Sequence, residues 1–158
     1  DYIEKYKKVA IAEMNRGGIP ASIILAQAML ESASGLSELA RKTNNHFGLK
    51  CTDEWTGATF GRKDDDRDPK GSLVDSCFRR YNNVAESYAD YSEFMREYRR
   101  YRFLFDLDRT DYKSWARGLQ SAGYATSTEY SDRLIELIER FQLYQYDRAG
   151  NDRRRGSG

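Results

Sequence analysis

Glu31 stands near the end of an otherwise apolar run, PASIILAQAMLES at residues 20–32. Coiled as a helix, the run puts Ala28, Gln27 and Ile24 on the same face as Glu31, with no cation among them. A carboxyl held against apolar surface without a counter-charge resists ionisation, so its pKa is expected to rise. An acid still protonated near neutral pH can pass a proton to a departing oxygen, as a general acid does when a glycosidic bond breaks. The carbon left behind needs negative charge or a nucleophile as well. The plain alternative is a solvated glutamate at a helix end, and the segments that follow weigh against it.

The elements that must position Glu31 are read from caps and periodicity. A first helix over 2–15 stops at Gly17 and Gly18. Pro20 then takes the first position of a second helix, where a missing amide hydrogen costs nothing. That helix carries Glu31 and gives way near Gly35, ahead of a short helical turn over 36–41. Residues 44–81 change character, with more glycine and polar side chains. They read as a two- or three-stranded sheet built on Thr59, Phe60 and CFRRY at 77–81, with KDDDRD at 63–68 as an acidic loop between strands. A sheet that small must lean on helices.

Helices then resume. Asn83 and Glu86 form a capping box for a helix whose inner stripe is Val84, Tyr88, Tyr91 and Met95. Asp111 starts another, with Tyr112, Trp115, Ala116 and Leu119 facing inward. Thr126 and Glu129 make a further box, and the last helix buries Leu134, Leu137, Ile138 and Phe141. The expected fold class is α+β, mainly α: a helical body interrupted by one small β lobe, with a groove between them where a polymer can lie.

The 158 residues suffice for one domain, taken as residues 1–147, with 148–158 as a disordered tail. The 26 basic and 25 acidic side chains nearly cancel, which argues against a nucleic-acid partner. No apolar run is long enough for membrane insertion. One His and two Cys cannot make a plausible protein-only zinc site, and no metal or organic cofactor is implied. Cys51 and Cys77 are either two buried thiols or one disulfide; the disulfide would clamp the sheet and imply an oxidising compartment. The 12 tyrosines suit helix packing and also a wet groove for a polar ligand.

Three segments together resemble one family. PASIILAQAMLES at 20–32, GLSELA at 35–40 and NNHFGLKC at 44–51 are similar to the opening of glycoside hydrolase family 73, the bacterial cell-wall glucosaminidases that include flagellum-associated enzymes. WTG at 55–57, the acidic triplet and CFRRY at 77–81 match the β-lobe pattern of its Bacteroides-like branch, and AGYAT at 122–126 with Tyr130 matches a later stretch. The resemblance spans roughly residues 6–144, and the combination of AQxxxES with NNxFGxK is specific. It implies a lysozyme-like fold and hydrolysis of the β-1,4 bond after N-acetylglucosamine in peptidoglycan, by an enzyme exported to the periplasm, the cell envelope or the medium. A monomer is expected.

The resemblance also assigns residues. Glu31 matches the general acid, and Tyr124 an active-site tyrosine in the same cleft. The bland role for Tyr124 is a core tyrosine donating to a backbone carbonyl, although its place beside Gly123 favours an exposed ring. Asp64, Asp65 and Asp66 stand where the family places an acidic residue; Asp65 and Asp66 are taken as catalytic, and a solvated turn is the alternative. Gln27, Asn44, Asn45, Phe47 and Tyr130 are the expected substrate contacts, with Asn44, Asn45 and Phe47 shaping the groove floor or else the turn between lobes. Three positions depart from the family pattern. Asp75-Ser76 replaces a Glu directly before Cys77, Ala33-Ser34 replaces a Gly and an aromatic, and Ser127 replaces an Asp. Two other readings stay open: a lytic transglycosylase or muramidase of the same fold, and a peptidoglycan-binding module without activity.

Overall fold

A helix that is apolar on every side has to be wrapped, and α2 (Ala21–Ser32) is. Ala21, Ile23, Ile24, Leu25, Ala26 and Ala28 are all completely buried. The computed structural model describes residues 1–149, apart from the side chain of Asp65. Around α2 pack α1 (Tyr2–Gly17), α4 (Val84–Glu97), α5 (Tyr112–Ser121), α6 (Tyr130–Arg140) and two 3-10 segments, Arg99–Asp106 and Leu143–Arg148. A short α3 (Glu38–Thr43) leads into the β lobe, a hairpin of β1 (Thr59–Arg67) and β2 (Leu73–Arg79). The expected helical body with one small β lobe is therefore present. Of the expected tail 148–158, Arg148 still belongs to the last 3-10 segment, and residues 150–158 lie outside the described residues.

The two ends of α2 are fixed by different means. Pro20 is the N-cap rather than the first helical residue, so α2 starts one residue later than expected, and Pro20 offers no side-chain cap. The missing acceptor comes from 125 residues away: Asp147 Oδ1 accepts from the Ser22 amide at 2.7 Å and Oδ2 from the Ser22 hydroxyl at 2.6 Å. Burial pushes the Asp147 carboxyl up to about 6, against the two bonds from Ser22. At the other end the Ser32 hydroxyl donates to the Ala28 carbonyl at 2.6 Å and accepts from the Gly35 amide at 2.8 Å. Ala33, Ser34 and Gly35 then all take positive φ (49°, 54° and 81°), which turns the chain sharply away just past Glu31.

The β lobe differs from expectation in one consequential way. The acidic triplet is not a loop; it lies inside β1, and the turn is residues 68–72, where Asp68 Oδ1 accepts the amides of Lys70 and Ser72. Register runs from Thr59 opposite Arg79 to Lys63 opposite Asp75, then resumes at Arg67 opposite Leu73. Four steps on β1 match two on β2, so the triplet forms a bulge that re-aims its carboxylates. On the other edge of β2, Lys50 bridges Phe78, and a Cys51–Cys77 disulfide closes that edge with Cα atoms 5.4 Å apart.

Smaller departures have local causes. The turn expected over 36–41 starts later, because Ser37 caps α3 by accepting from the Ala40 amide. The Thr126–Glu129 box does not form; Ser127 accepts the Glu129 amide instead, and α6 starts one residue beyond Glu129. Phe141 follows the end of α6 and is 41% exposed rather than buried. Asn83 and Asp111 cap as expected.

Replacing Asp147 by Ala removes both acceptors of Ser22 and leaves the Met14 sulfur, which accepts the Ala21 amide at 3.2 Å, as a weak side-chain acceptor at the α2 start. Unfolding followed by circular dichroism is expected to show a loss of about 2 kcal/mol, the worth of one buried charge-assisted pair of bonds. An unchanged melting temperature would show that the α2 start does not depend on this contact.

Candidate active site

Glu31 occupies the floor of a groove of about 440 Å³ between the two lobes. Lys50, Arg62, Asp64 and Phe78 line it from the β lobe; Phe94, Arg100, Tyr101, Gly123, Tyr124 and Thr126 line it from the helical body. Glu31 is half-buried and has no hydrogen bond or ion pair among the described residues. Burial is the main force that lifts its pKa from 4.5 to about 7, and the negative charge of Asp64 adds to it. Gly48 (φ 67°) passes so close that a Cβ there would sit 3.5 Å from Glu31 Oε2. The backbone thus passes beside the acid, and its positive φ at position 48 favours glycine there.

The acidic bulge faces Lys50. Its ammonium lies 3.4 Å from Asp64 Oδ2 and 3.5 Å from Asp66 Oδ1. Of the two, Asp64 lines the groove and Asp66 does not. The Asp65 side chain lies outside the described residues. Asp64 is thus the triplet member brought together with Glu31, a distinction that needs the bulge and cannot be made from three consecutive aspartates.

Tyr124 is half-buried and lines the groove, with its hydroxyl 3.5 Å from the Phe47 carbonyl and its ring stacked 5.8 Å from that of Tyr130. Burial pushes its phenol well above the usual range. Tyr130 and Gln27 are not groove residues: Tyr130 is 3% exposed and Gln27 fully buried. Gln27 Nε2 donates to the Tyr130 hydroxyl at 3.0 Å, and its Oε1 accepts from the Tyr91 hydroxyl. This network lies one helical turn before Glu31 and ties α2 to α4 and α6.

The expected floor residues divide similarly. Phe47 lies in the groove wall, stacked 4.0 Å from the Tyr91 ring. Asn45 is buried and serves the chain instead. Its Nδ2 donates to the carbonyls of Leu49 and Arg79, and its Oδ1 accepts the amides of Phe47 and Leu49. Asn44 sits at the αL end of α3 and donates to the Tyr81 carbonyl at 3.0 Å. These two amides build the turn between lobes; neither lines the groove. Sequence reasoning did not find Lys50, Arg62 or Arg100 as groove residues. Lys50 adjoins a quoted motif, but nothing local to Arg62 or Arg100 signals that folding brings them to one cleft.

An uncompensated protonated acid facing a carboxylate across an open groove suits acid-assisted cleavage of an extended polymer. Comparison with known proteins agrees in fold and family. The catalytic domain of the autolysin Auto from Listeria monocytogenes superposes with a TM-score of 0.79 at 27% identity, covering 92% of this chain and 85% of that one. The glycoside hydrolase domain of Salmonella typhimurium FlgJ gives a TM-score of 0.71 at 28% identity, covering 92% and 89%. The exo-glucosaminidase LytG of Bacillus subtilis is 36% identical over 129 residues, 80% of this chain and 45% of LytG. The peptidoglycan hydrolase FlgJ of Vibrio parahaemolyticus is 29% identical over 147 residues, 47% of its length, so the chain spans about half of these relatives. Residues 7–143 match the glucosaminidase family, described as mannosyl-glycoprotein endo-beta-N-acetylglucosaminidase, and the chain belongs to that family.

Proposed function

We propose that this chain is an exported endo-β-N-acetylglucosaminidase that hydrolyses the β-1,4 bond between N-acetylglucosamine and N-acetylmuramic acid in bacterial peptidoglycan, with Glu31 as general acid. The observation that carries this reading is the Glu31 carboxyl, unpaired and held protonated up to about 7 on the floor of the groove. The names of relatives support the polymer: FlgJ is named a peptidoglycan hydrolase and LytG an exo-glucosaminidase. A disulfide fits an oxidising compartment outside the cytoplasm.

Glu31 gives its proton to the departing glycosidic oxygen as positive charge grows on the anomeric carbon. Asp64, the carboxylate that shares the groove, is the candidate base for the attacking water, and Lys50 holds it in place from 3.4 Å. Environment separates the roles: the acid is buried without a cation, while the base is half solvated and paired with one. Tyr124 lines the wall beside the acid and contacts the bound sugar.

Glu31→Gln keeps the shape and removes the proton. Release of reducing ends from purified sacculi is expected to fall by about a thousandfold, with an unchanged circular dichroism spectrum. Normal turnover in that variant would remove Glu31 from the mechanism. Mass spectrometry of the wild-type products is expected to show reducing-end N-acetylglucosamine on internal fragments. Anhydro-muramic ends would mean a transglycosylase, single terminal sugars an exo-acting enzyme, and binding without released sugars a non-catalytic module.

Because the acid works protonated, kcat/KM is expected to fall as pH rises through about 7. The same group makes a stability prediction. A carboxyl whose folded pKa is raised favours the fold fully below its ordinary value of 4.5 and loses that contribution as pH rises through about 7. Glu31→Gln has nothing to lose, so its melting temperature should gain on wild type between about pH 5 and about pH 8. A gap that stays constant with pH would mean that Glu31 is not buried against its charge.

Asp64→Asn is expected to cost about a hundredfold in kcat, and Asp66→Asn less than about threefold, since only Asp64 lines the groove. Equal effects would show that the bulge does not select between them. A full rate in Asp64→Asn, with retention at the anomeric carbon, would transfer the second role to the substrate's acetamido group.

A further inference from the structure

We propose that Arg62 and Arg100 form a two-sided carboxylate clamp on the groove, making the chain select glycan strands that carry free carboxylates beside the bond to be cut. The inference rests on the glycan-hydrolase reading above and names a substrate feature within it.

Three cations line the groove: Lys50, Arg62 and Arg100. Lys50 is committed to Asp64 and Asp66. The two arginines have no carboxylate partner among the described residues, although acids are plentiful in a chain with 25 of them. Elsewhere guanidinium groups do find acids, as in Arg79 with Asp90 at 2.8 Å and Arg117 with Asp132 at 2.7 Å. What holds the groove pair is aromatic. The Arg62 guanidinium lies 5.8 Å from the Phe78 ring centroid and that of Arg100 5.3 Å from Tyr101, and both rings line the groove.

A guanidinium resting on a ring keeps its N–H edge for a partner, and its planar fork matches a carboxylate through two parallel bonds. Arg62 comes from β1 and Arg100 from the 3-10 segment after α4, so one fork stands on each lobe of the groove that Glu31 also lines. A neutral N-acetylglucosamine offers neither fork a partner. The muramic half of the polymer does, through its lactyl carboxylate when free or the carboxylates of an attached stem peptide. Both sources present the same chemistry to the groove.

The probe is a pair of substrates with one glycan: native sacculi, and sacculi whose carboxylates have been converted to methylamides with carbodiimide and methylamine. Wild type is expected to release reducing ends about tenfold faster from the native form at low salt, and Arg62→Gln/Arg100→Gln should bring that ratio to about one. Arg62→Lys/Arg100→Lys, which keeps the charge but loses the fork, should give an intermediate ratio. Reading a ratio within each variant separates the clamp from a general loss of activity. Repeating the pair on strands stripped of stem peptides by an amidase locates the source. A surviving ratio shows that the clamp also holds the lactyl carboxylate the amidase frees, and a ratio lost only there restricts it to the peptide carboxylates. Equal wild-type rates on native and methylamidated sacculi would overturn the clamp, as would a wild-type ratio in the Gln variant. No reducing-end N-acetylglucosamine from either substrate would instead overturn the glycosidase reading itself.

Discussion

Keeping a carboxyl neutral in water-rich surroundings is an electrostatic problem, and this fold solves it by withholding compensation. Desolvation, helped by the Asp64 charge, lifts the Glu31 pKa, and one well-placed guanidinium or ammonium would pull it down again. Of the three cations that line the groove, Lys50 is engaged by the Asp64–Asp66 bulge, while Arg62 and Arg100 rest on Phe78 and Tyr101, and none of the three is bonded to Glu31. The charge that does act on Glu31 is the negative field of Asp64. The acidic bulge thus places a second carboxylate in the groove and engages the lysine that lines it.

Such an acid has to be held by structure that gains nothing from it, and α2 is that structure. Its sides are apolar, its start is anchored by Asp147 from the far end of the described chain, and its end is turned off by Ser32 and three residues with positive φ. One turn before Glu31, Gln27 bonds Tyr91 and Tyr130 inside the protein. A buried polar network of this kind ties α2 to α4 and α6 and holds the turn that carries the carboxyl.

Local features were legible in the sequence where short-range physics decides. The apolar surroundings of Glu31 follow from helical spacing alone, and the caps at Asn83 and Asp111 from their own side chains. The cysteines left a choice that folding makes, because β2 sets Cys77 beside Cys51 across an edge. Misreadings arose where tertiary packing outvotes composition. Three aspartates look like a solvated loop, yet β2 pairs on both sides of them and turns them into a bulge. Gln27 and Asn45 look like sugar-binding amides, but buried backbone and phenol groups claim them first. Arg62 and Arg100 were invisible because no local pattern relates positions 38 residues apart.

The two carboxylates of the site belong to different lobes, so their separation is a property of the junction between lobes. Asn45 bonds Leu49 and the Arg79 carbonyl; the Arg79 guanidinium reaches back to the Lys50 carbonyl and across to Asp90 on α4, which also accepts the Tyr81 hydroxyl at 2.6 Å. The disulfide ties the same segment to β2. A two-stranded hairpin is marginal alone, and these contacts make it an extension of the helical body. The distance between acid and base decides whether a water fits between carboxylate and sugar, and hence the stereochemical course. In the proposed reaction the separation of Glu31 and Asp64 therefore depends on Asn45 and Arg79, two residues that bond neither carboxyl.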